Sequence, residues 1–194
     1  MNKYKINEIY YTIQGEGRYV GMSVIIIRLA GCNLSCEYCD TEFDSFSEMT
    51  LEQIAAACKE ESHNCANLLI TGGEPLLQID DEFVDYFHSI GYGMLLETSG
   101  TVKEKYDREL EWVTVSPKSP QLKYSGRVDE LRIPVKAGSS IEKFINIDAT
   151  IYYLSPIFDG DNINQNNLAY ALSLIKNDPK LNLSLQTHKL IGVR

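Results

Sequence analysis

The chain has 194 residues, 44% of them hydrophobic and 23% charged, with a formal net charge of −9. That length fits one domain, residues 1–194, with a substantial core and leaves little room for a second. The acidic balance argues against direct nucleic-acid binding, which needs a broad cationic face, and no apolar run is long enough to span a membrane.

Apolar runs alternate with helix-like segments along the chain. The expected strands are Ile6 to Tyr11, Val24 to Ala30, Asn67 to Thr71, Gly93 to Glu97, Trp112 to Val115, Glu130 to Val135, Thr150 to Leu154 and Leu181 to Gln186. Thr50 and Gln53 read as a capping box that opens a helix whose Leu51, Ile54, Ala55 and Cys58 share one face. Cys58 is therefore a core thiol rather than a ligand, and Cys65 reads as inert. A second helix over Asp80 to Ile90 puts Phe83, Val84, Phe87 and Ile90 inward and leaves His88 on the surface. A late helix, from about Asn166 to Lys176, packs through Leu168, Leu172 and Ile175. Near-continuous apolar strands alternating with helices predict an α/β fold with a covered parallel sheet. Helix periodicity is weak from Pro117 to Ala149, so the expected architecture is a partial (β/α) barrel trimmed in its later helices.

The unusual residues all follow strands: Gly31 to Thr41, Gly72-Gly73-Glu74-Pro75, Thr98-Ser99-Gly100-Thr101 and Ser116-Pro117-Lys118. Carboxyl ends of parallel strands gather on one edge, where active sites are built. The most informative stretch is Cys32-x3-Cys36-x2-Cys39, directly after the second strand. Structural zinc usually takes four ligands, often as two separated pairs, and His63 and His188 are isolated. Three thiolates suit a [4Fe-4S] cluster and leave one iron open to chemistry. An odd count of five cysteines with three clustered, and no apolar signal in Met1 to Asn7, predict a reducing, cytoplasmic setting.

That three-cysteine loop resembles the radical S-adenosylmethionine (SAM) superfamily. Seven strings sharpen the resemblance: Thr12-Ile13-Gln14-Gly15-Glu16-Gly17, Ile27 to Leu34, Tyr38-Cys39-Asp40-Thr41, Thr71 to Pro75, Glu97 to Thr101, Ser116-Pro117-Lys118 and Gln186-Thr187-His188-Lys189. In this order they are similar to the 7-carboxy-7-deazaguanine synthase family. The resemblance implies a carbon–nitrogen lyase that contracts 6-carboxy-5,6,7,8-tetrahydropterin to 7-carboxy-7-deazaguanine with loss of ammonia, towards queuosine-type 7-deazapurines. It implies a [4Fe-4S] cluster on Cys32, Cys36 and Cys39, S-adenosylmethionine on the open iron, and a 5′-deoxyadenosyl radical that takes hydrogen from C6. It also implies Mg2+ with Thr41 as its protein ligand, a reducing electron donor such as a flavodoxin, and a homodimer.

Residue by residue, the resemblance implies that Ile13, Gln14 and Gly15 contact the pterin and that Thr71 points into the substrate region. It assigns S-adenosylmethionine contacts to Tyr38, Cys39, Asp40, Gly73, Ser116, Pro117 and Lys118. Gly72 and Gly73 are expected to remove side chains where a ligand approaches closely. Arg28 interrupts an apolar strand, and a buried guanidinium needs an anion. Glu16 or Glu97 could serve, while the resemblance assigns Arg28 to the substrate carboxylate. In Glu130-Leu131-Arg132 the family pattern leads one to expect lysine last, and an arginine there is a poor proton carrier. His188 is either on the substrate side or simply hydrogen-bonded. Two rival readings share the cysteines: another radical SAM enzyme such as a glycyl-radical activase, and a non-enzymatic iron–sulfur module.

Overall fold

The computed structural model describes residues 2–39 and 41–193. Its frame is a nine-stranded sheet: β1 (Tyr4–Ile13), β2 (Ser23–Leu29), β3 (Ser47–Met49), β4 (Asn67–Gly72), β5 (Gly93–Thr98), β6 (Trp112–Val115), β7 (Glu130–Val135), β8 (Ile151–Pro156) and β9 (Leu181–Leu183). The spatial order is β3-β1-β2-β4-β5-β6-β7-β8-β9, an open sheet. From β2 and β4 through β9 all neighbours are parallel. β1 departs from the expected all-parallel array and runs antiparallel to β2. Only Gln14 to Met22 joins them, which is shorter than the dozen or so residues a parallel crossover takes. The short edge strand β3 pairs with β1 alone, and its polar Ser-Glu-Met carries no alternating pattern to announce it.

Helices α1 (Leu51–Glu61) and α2 (Asp81–Ser89) fill the first crossovers. Thr50 and Gln53 do form the capping box: the Thr50 N–H donates to Gln53 Oε1 at 2.9 Å, and the Gln53 N–H to Thr50 Oγ1 at 3.4 Å. Cys58 is wholly buried, and burial pushes its thiol up to about 12. Asp80 caps α2 through the Phe83 N–H at 3.0 Å, and Phe83, Val84 and Phe87 face inward. Ile90 does not follow them; it sits past the last helical residue with non-helical dihedrals and is 46% exposed.

Between β5 and β7 no helix forms, and the next two are α3 (Glu142–Ile145) and α4 (Gln165–Asn177). The inward face of α4 differs from the expected leucine stripe: Asn167 and Ala171 are buried, whereas Leu172 is exposed. The Asn167 amide turns the helix, accepting from the Ala137 N–H at 2.8 Å and donating to the Ile157 carbonyl at 2.7 Å. The last strand stops at Leu183, shorter than expected, and the chain turns into α5 (Thr187–Ile191). Among the described residues no helix is long and apolar enough to cross a membrane.

Because neighbouring strands are in register, alternate residues sort onto two faces. One face meets the helices and carries the main core, with Ile25, Ile27, Leu68, Ile70 and Leu96 fully buried. The other face is stratified. Val24, Ile26, Leu69 and Leu95 form a second apolar cluster towards the amino ends of the strands, flanked by Tyr10, Tyr19, Met22 and Trp112. One step towards the carboxyl ends, the row turns polar: Glu8 pairs with Arg28 and Arg28 with Thr71, while Glu97, Glu130 and Arg132 continue it. An apolar floor thus underlies a charged storey.

Candidate active site above the strand ends

The cysteine loop leaves β2 with two backbone anchors: the Ala30 N–H donates to the Lys5 carbonyl at 2.9 Å and the Gly31 N–H to the Phe43 carbonyl at 3.0 Å. Cys32 and Cys36 are half-buried and Cys39 is exposed. Burial pushes the Cys32 thiol up, the Leu34 N–H at 3.4 Å from its sulfur opposes this, and the nearby Glu74 carboxylate adds to the rise. Among the described residues no three His, Cys, Asp or Glu side chains gather closely enough to hold one metal ion. A cubane asks for less convergence, because each thiolate binds a different iron. Three thiols on one loop with an open side fit that group better than they fit a four-ligand zinc site.

Glycines 72 and 73 make room for neighbouring backbone. A Cβ on Gly72, which has φ +128°, would collide with the Leu29 backbone, and one on Gly73 with the Gly31 carbonyl oxygen. The two strand ends are laced there by the Gly73 N–H to Leu29 O at 3.0 Å and the Glu74 N–H to Gly31 O at 2.9 Å. Glu74 beside them is fully buried.

Lys118 reaches the same loop, its ammonium 5.4 Å from the centre of the Tyr38 ring. Burial pushes the Lys118 amine down, with Cys36, Glu16 and Cys39 pulling the other way. The Ser116 N–H donates to the Thr98 carbonyl at 2.8 Å, and Pro117 is buried. Tyr38, Cys39 and Lys118 thus come together, with Ser116 and Pro117 leading into Lys118 from the end of β6. Asp40 lies outside the described residues. Thr41 is half-buried, and its carbonyl stands 3.7 Å from the Cys39 sulfur.

In the charged storey Arg28 takes Glu8 as its anion, not Glu16 or Glu97. Its Nε donates to Glu8 Oε1 at 2.7 Å and its Nη2 to the Tyr10 hydroxyl at 3.1 Å. The antiparallel pairing of β1 with β2 explains this, since it sets Glu8 directly opposite Arg28. Glu16 and Glu97 belong instead to Arg132, which is 4% exposed. Arg132 Nη1 stands 2.8 Å from Glu97 Oε1 and 3.3 Å from Glu16 Oε2, and its Nη2 lies 2.7 Å from Glu130 Oε1. Burial would push the Glu97 carboxyl up, but Arg132 and the Gln14 amide outweigh it and hold the group below its ordinary value. For Arg132, burial opposes the charge and the three carboxylates overcome it, so the guanidinium is raised. Arg132 as the hub of three carboxylates was missed in the sequence; the alternation Glu130-x-Arg132 in an apolar strand was the signal, because it sends both side chains to one face.

The turn after β1 closes the open edge of the sheet. Gln14 Nε2 donates to Glu97 Oε1 at 3.0 Å, and Gln14 Oε1 accepts from the Glu16 N–H at 3.1 Å. The Gly17 N–H reaches Ser184 Oγ at 2.9 Å and the Arg18 N–H reaches Glu130 Oε2 at 2.9 Å. The Thr187 N–H bonds the Gly15 carbonyl at 2.9 Å, and the His188 ring occupies the space a Cβ on Gly15 would take. Gln14 therefore joins the polar row that holds Arg28 and Thr71, with Gly15 beside it, while strand alternation turns the Ile13 side chain to the other face with Ile9 and Tyr11.

Comparisons with known proteins give the family. The radical SAM superfamily model matches residues 26–148. The chain is 37% identical over 190 residues to the 7-carboxy-7-deazaguanine synthase of Bacteroides thetaiotaomicron, covering 98% of each chain. It is 36% identical over 208 residues to the enzyme of the same name from Haemophilus influenzae, covering 98% of this chain and 94% of the relative. The crystal structure of QueE from Escherichia coli matches with a TM-score of 0.74 at 25% identity, over 96% of this chain and 95% of that one. An open, mostly parallel sheet with three cysteines at the end of its first parallel strand is a partial radical SAM barrel, and the chain belongs to the radical SAM superfamily and, within it, to the 7-carboxy-7-deazaguanine synthase family.

Proposed function

We propose that this chain, as a single radical SAM domain over residues 1–194, converts 6-carboxy-5,6,7,8-tetrahydropterin to 7-carboxy-7-deazaguanine and ammonia. The observation that carries the reading is the charged storey enclosed between an apolar floor and the cysteine loop. Its Arg28 guanidinium and Gln14 amide offer donors to a small polar heterocycle bearing a carboxylate. The bland alternative, a buried salt-bridge cluster serving stability, leaves unexplained why it lies directly under three thiols.

Cys32, Cys36 and Cys39 would hold a [4Fe-4S] cluster whose open iron binds S-adenosylmethionine; together they supply a carbon-centred radical. The chain's own residues do the rest. Arg28 is held at Nε by Glu8 and at Nη2 by Tyr10, which leaves Nη1 to meet a carboxylate. Gln14 and Gly15 present amide and backbone groups to the ring edge, and Thr71 sits beside Arg28 in register. Tyr38, Gly73 and the Ser116-Pro117-Lys118 turn line the cofactor side, and the family resemblance adds Asp40 to this set. Tyr19, Met22 and Trp112 pack against the apolar floor and widen it. Thr41 offers one hydroxyl to Mg2+, which commonly completes its shell with water and substrate oxygens. The working form is a homodimer reduced by a small one-electron donor such as a flavodoxin.

The test is anaerobic turnover of reconstituted protein with S-adenosylmethionine, Mg2+, reductant and the carboxypterin, followed by mass spectrometry. Formation of the deazapurine acid with ammonia supports the reading. Cluster-loaded protein that cleaves S-adenosylmethionine and never makes that product rejects it, as does equal turnover without Mg2+ for the metal.

A further inference from the structure

Glu74 is a buried carboxylate held by hydrogen bonds alone among the described residues. Its Oε1 accepts from Thr98 Oγ1 at 2.6 Å and the Leu76 N–H at 3.1 Å; its Oε2 accepts from the Ser99 N–H at 3.0 Å and from the Ser99 hydroxyl. Ser99 Oγ stands 2.8 Å from Thr101 Oγ1, and Asn33 Nδ2 stands 3.0 Å from the same Thr101 oxygen.

Counting protons fixes the direction of every link. The Ser99 hydroxyl gives its single proton to Glu74 Oε2. Thr101 must then donate its proton to Ser99. The Thr101 oxygen is left with acceptor capacity only, so Asn33 must present its NH2 and not its carbonyl. The result is a one-way chain, Asn33 to Thr101 to Ser99 to Glu74, in which each link strengthens the next. Its outer member lies next to Cys32, and the backbone of Gly31 on the other side of Cys32 already accepts from the Glu74 N–H at 2.9 Å. Cys32 is therefore gripped from both flanks by one buried acid. An ordinary strand-end turn would account for Thr98 and Ser99 on Glu74, but not for Asn33 reaching across from another loop.

We propose that Asn33, Thr101 and Ser99 are positioning residues that fix the Cys32 thiolate, and so the open iron, against the ends of β4 and β5. The proposal rests on the three-cysteine cluster and is independent of which substrate the chamber takes.

Reconstituted holoprotein is compared with its Thr101→Val, Thr101→Ser and Asn33→Asp variants by the rate of iron loss to a ferrous chelator. The change in the reduced cluster's electron paramagnetic resonance spectrum on adding S-adenosylmethionine is read alongside. Thr101→Val keeps the shape and removes the hydroxyl, so iron loss should quicken roughly tenfold with a diminished spectral change, the factor of one hydrogen bond lost from the chain. Thr101→Ser should restore both. Asn33→Asp, on an exposed loop where folding is not at stake, removes the donor and should match Thr101→Val. Iron loss at the wild-type rate in Asn33→Asp, or a Thr101→Ser variant as leaky as Thr101→Val, overturns the proposal. Should Thr101→Val fail to fold, the Asn33→Asp result decides alone. None of these readouts involves the pterin, so failure of the substrate assignment would leave them intact.

Discussion

Arg28 and Arg132 occupy the same charged storey yet are held for different work. Arg28 pairs with one carboxylate and a phenol, while Arg132 is wholly committed to three carboxylates. Arg28→Ala is expected to raise the KM for the carboxypterin roughly ten- to a hundredfold, the worth of a charged hydrogen-bonded pair, with iron content unchanged. Steady-state kinetics on reconstituted protein checks this; unchanged KM would remove Arg28 from the carboxylate. Arg132→Met should instead cost about 3–5 kcal/mol at neutral pH, because it strands buried carboxylates. The pH dependence follows from Glu97, whose carboxyl is held low in the folded protein. That depression stabilises the fold above the unfolded carboxyl value of about 4.3 and is lost as pH falls through the lower folded value. Without Arg132 the sign reverses, since burial alone raises Glu97, so the gap in melting temperature between the two proteins should narrow on acidification. A gap that widens from neutral to acid pH contradicts this. At this scale the cysteines, Cys58 and the Thr50–Gln53 pair could be read from spacing, because local rules decide them. The partners of Arg28 and Arg132 could not, because strand direction and register decide them.

The strand ends are where elements meet, and Gly73 shows how tightly. Its missing side chain lets the loop after β4 lie against the loop after β2. Gly73→Ala should leave circular dichroism near that of the wild type while cutting iron loading to well under half, measured as iron per chain. Full loading would show that the two loops need not touch. Thr50→Ala serves as a contrasting change remote from the site: losing the capping box should cost about 1 kcal/mol and lower the melting temperature by ~2–4 °C, with iron loading intact. Elements with long local signals, α1, α2, β1, β2 and the strands from β4 to β8, were evident in the sequence. Those set by tertiary demands were not. The face of α4 turned on the Asn167 amide bonds to Ala137 and Ile157, and β3 exists only because β1 offers an edge.

Across the whole molecule, the two ends of an open sheet are joined where the turn after β1 meets the segment before and within α5. Gly15, Gly17 and Arg18 bond or pack against Thr187, His188, Ser184 and Glu130. Removing residues 185–194 should therefore abolish product formation while leaving pterin-independent cleavage of S-adenosylmethionine and the cluster spectrum in place. Product formation by the shortened chain would mean that closure is not needed. The strand-end motifs announced one functional edge in the sequence; the closure did not, since it joins residues 170 positions apart, as in the Gln186 to Glu16 bond. The central claim is that one chamber brings the cofactor's carbon and the carboxypterin's C6 together. It is tested most directly with substrate deuterated at C6, by mass spectrometry of the 5′-deoxyadenosine formed. The account predicts one deuterium transferred per 7-carboxy-7-deazaguanine made; unlabelled 5′-deoxyadenosine accompanying full product formation would contradict it.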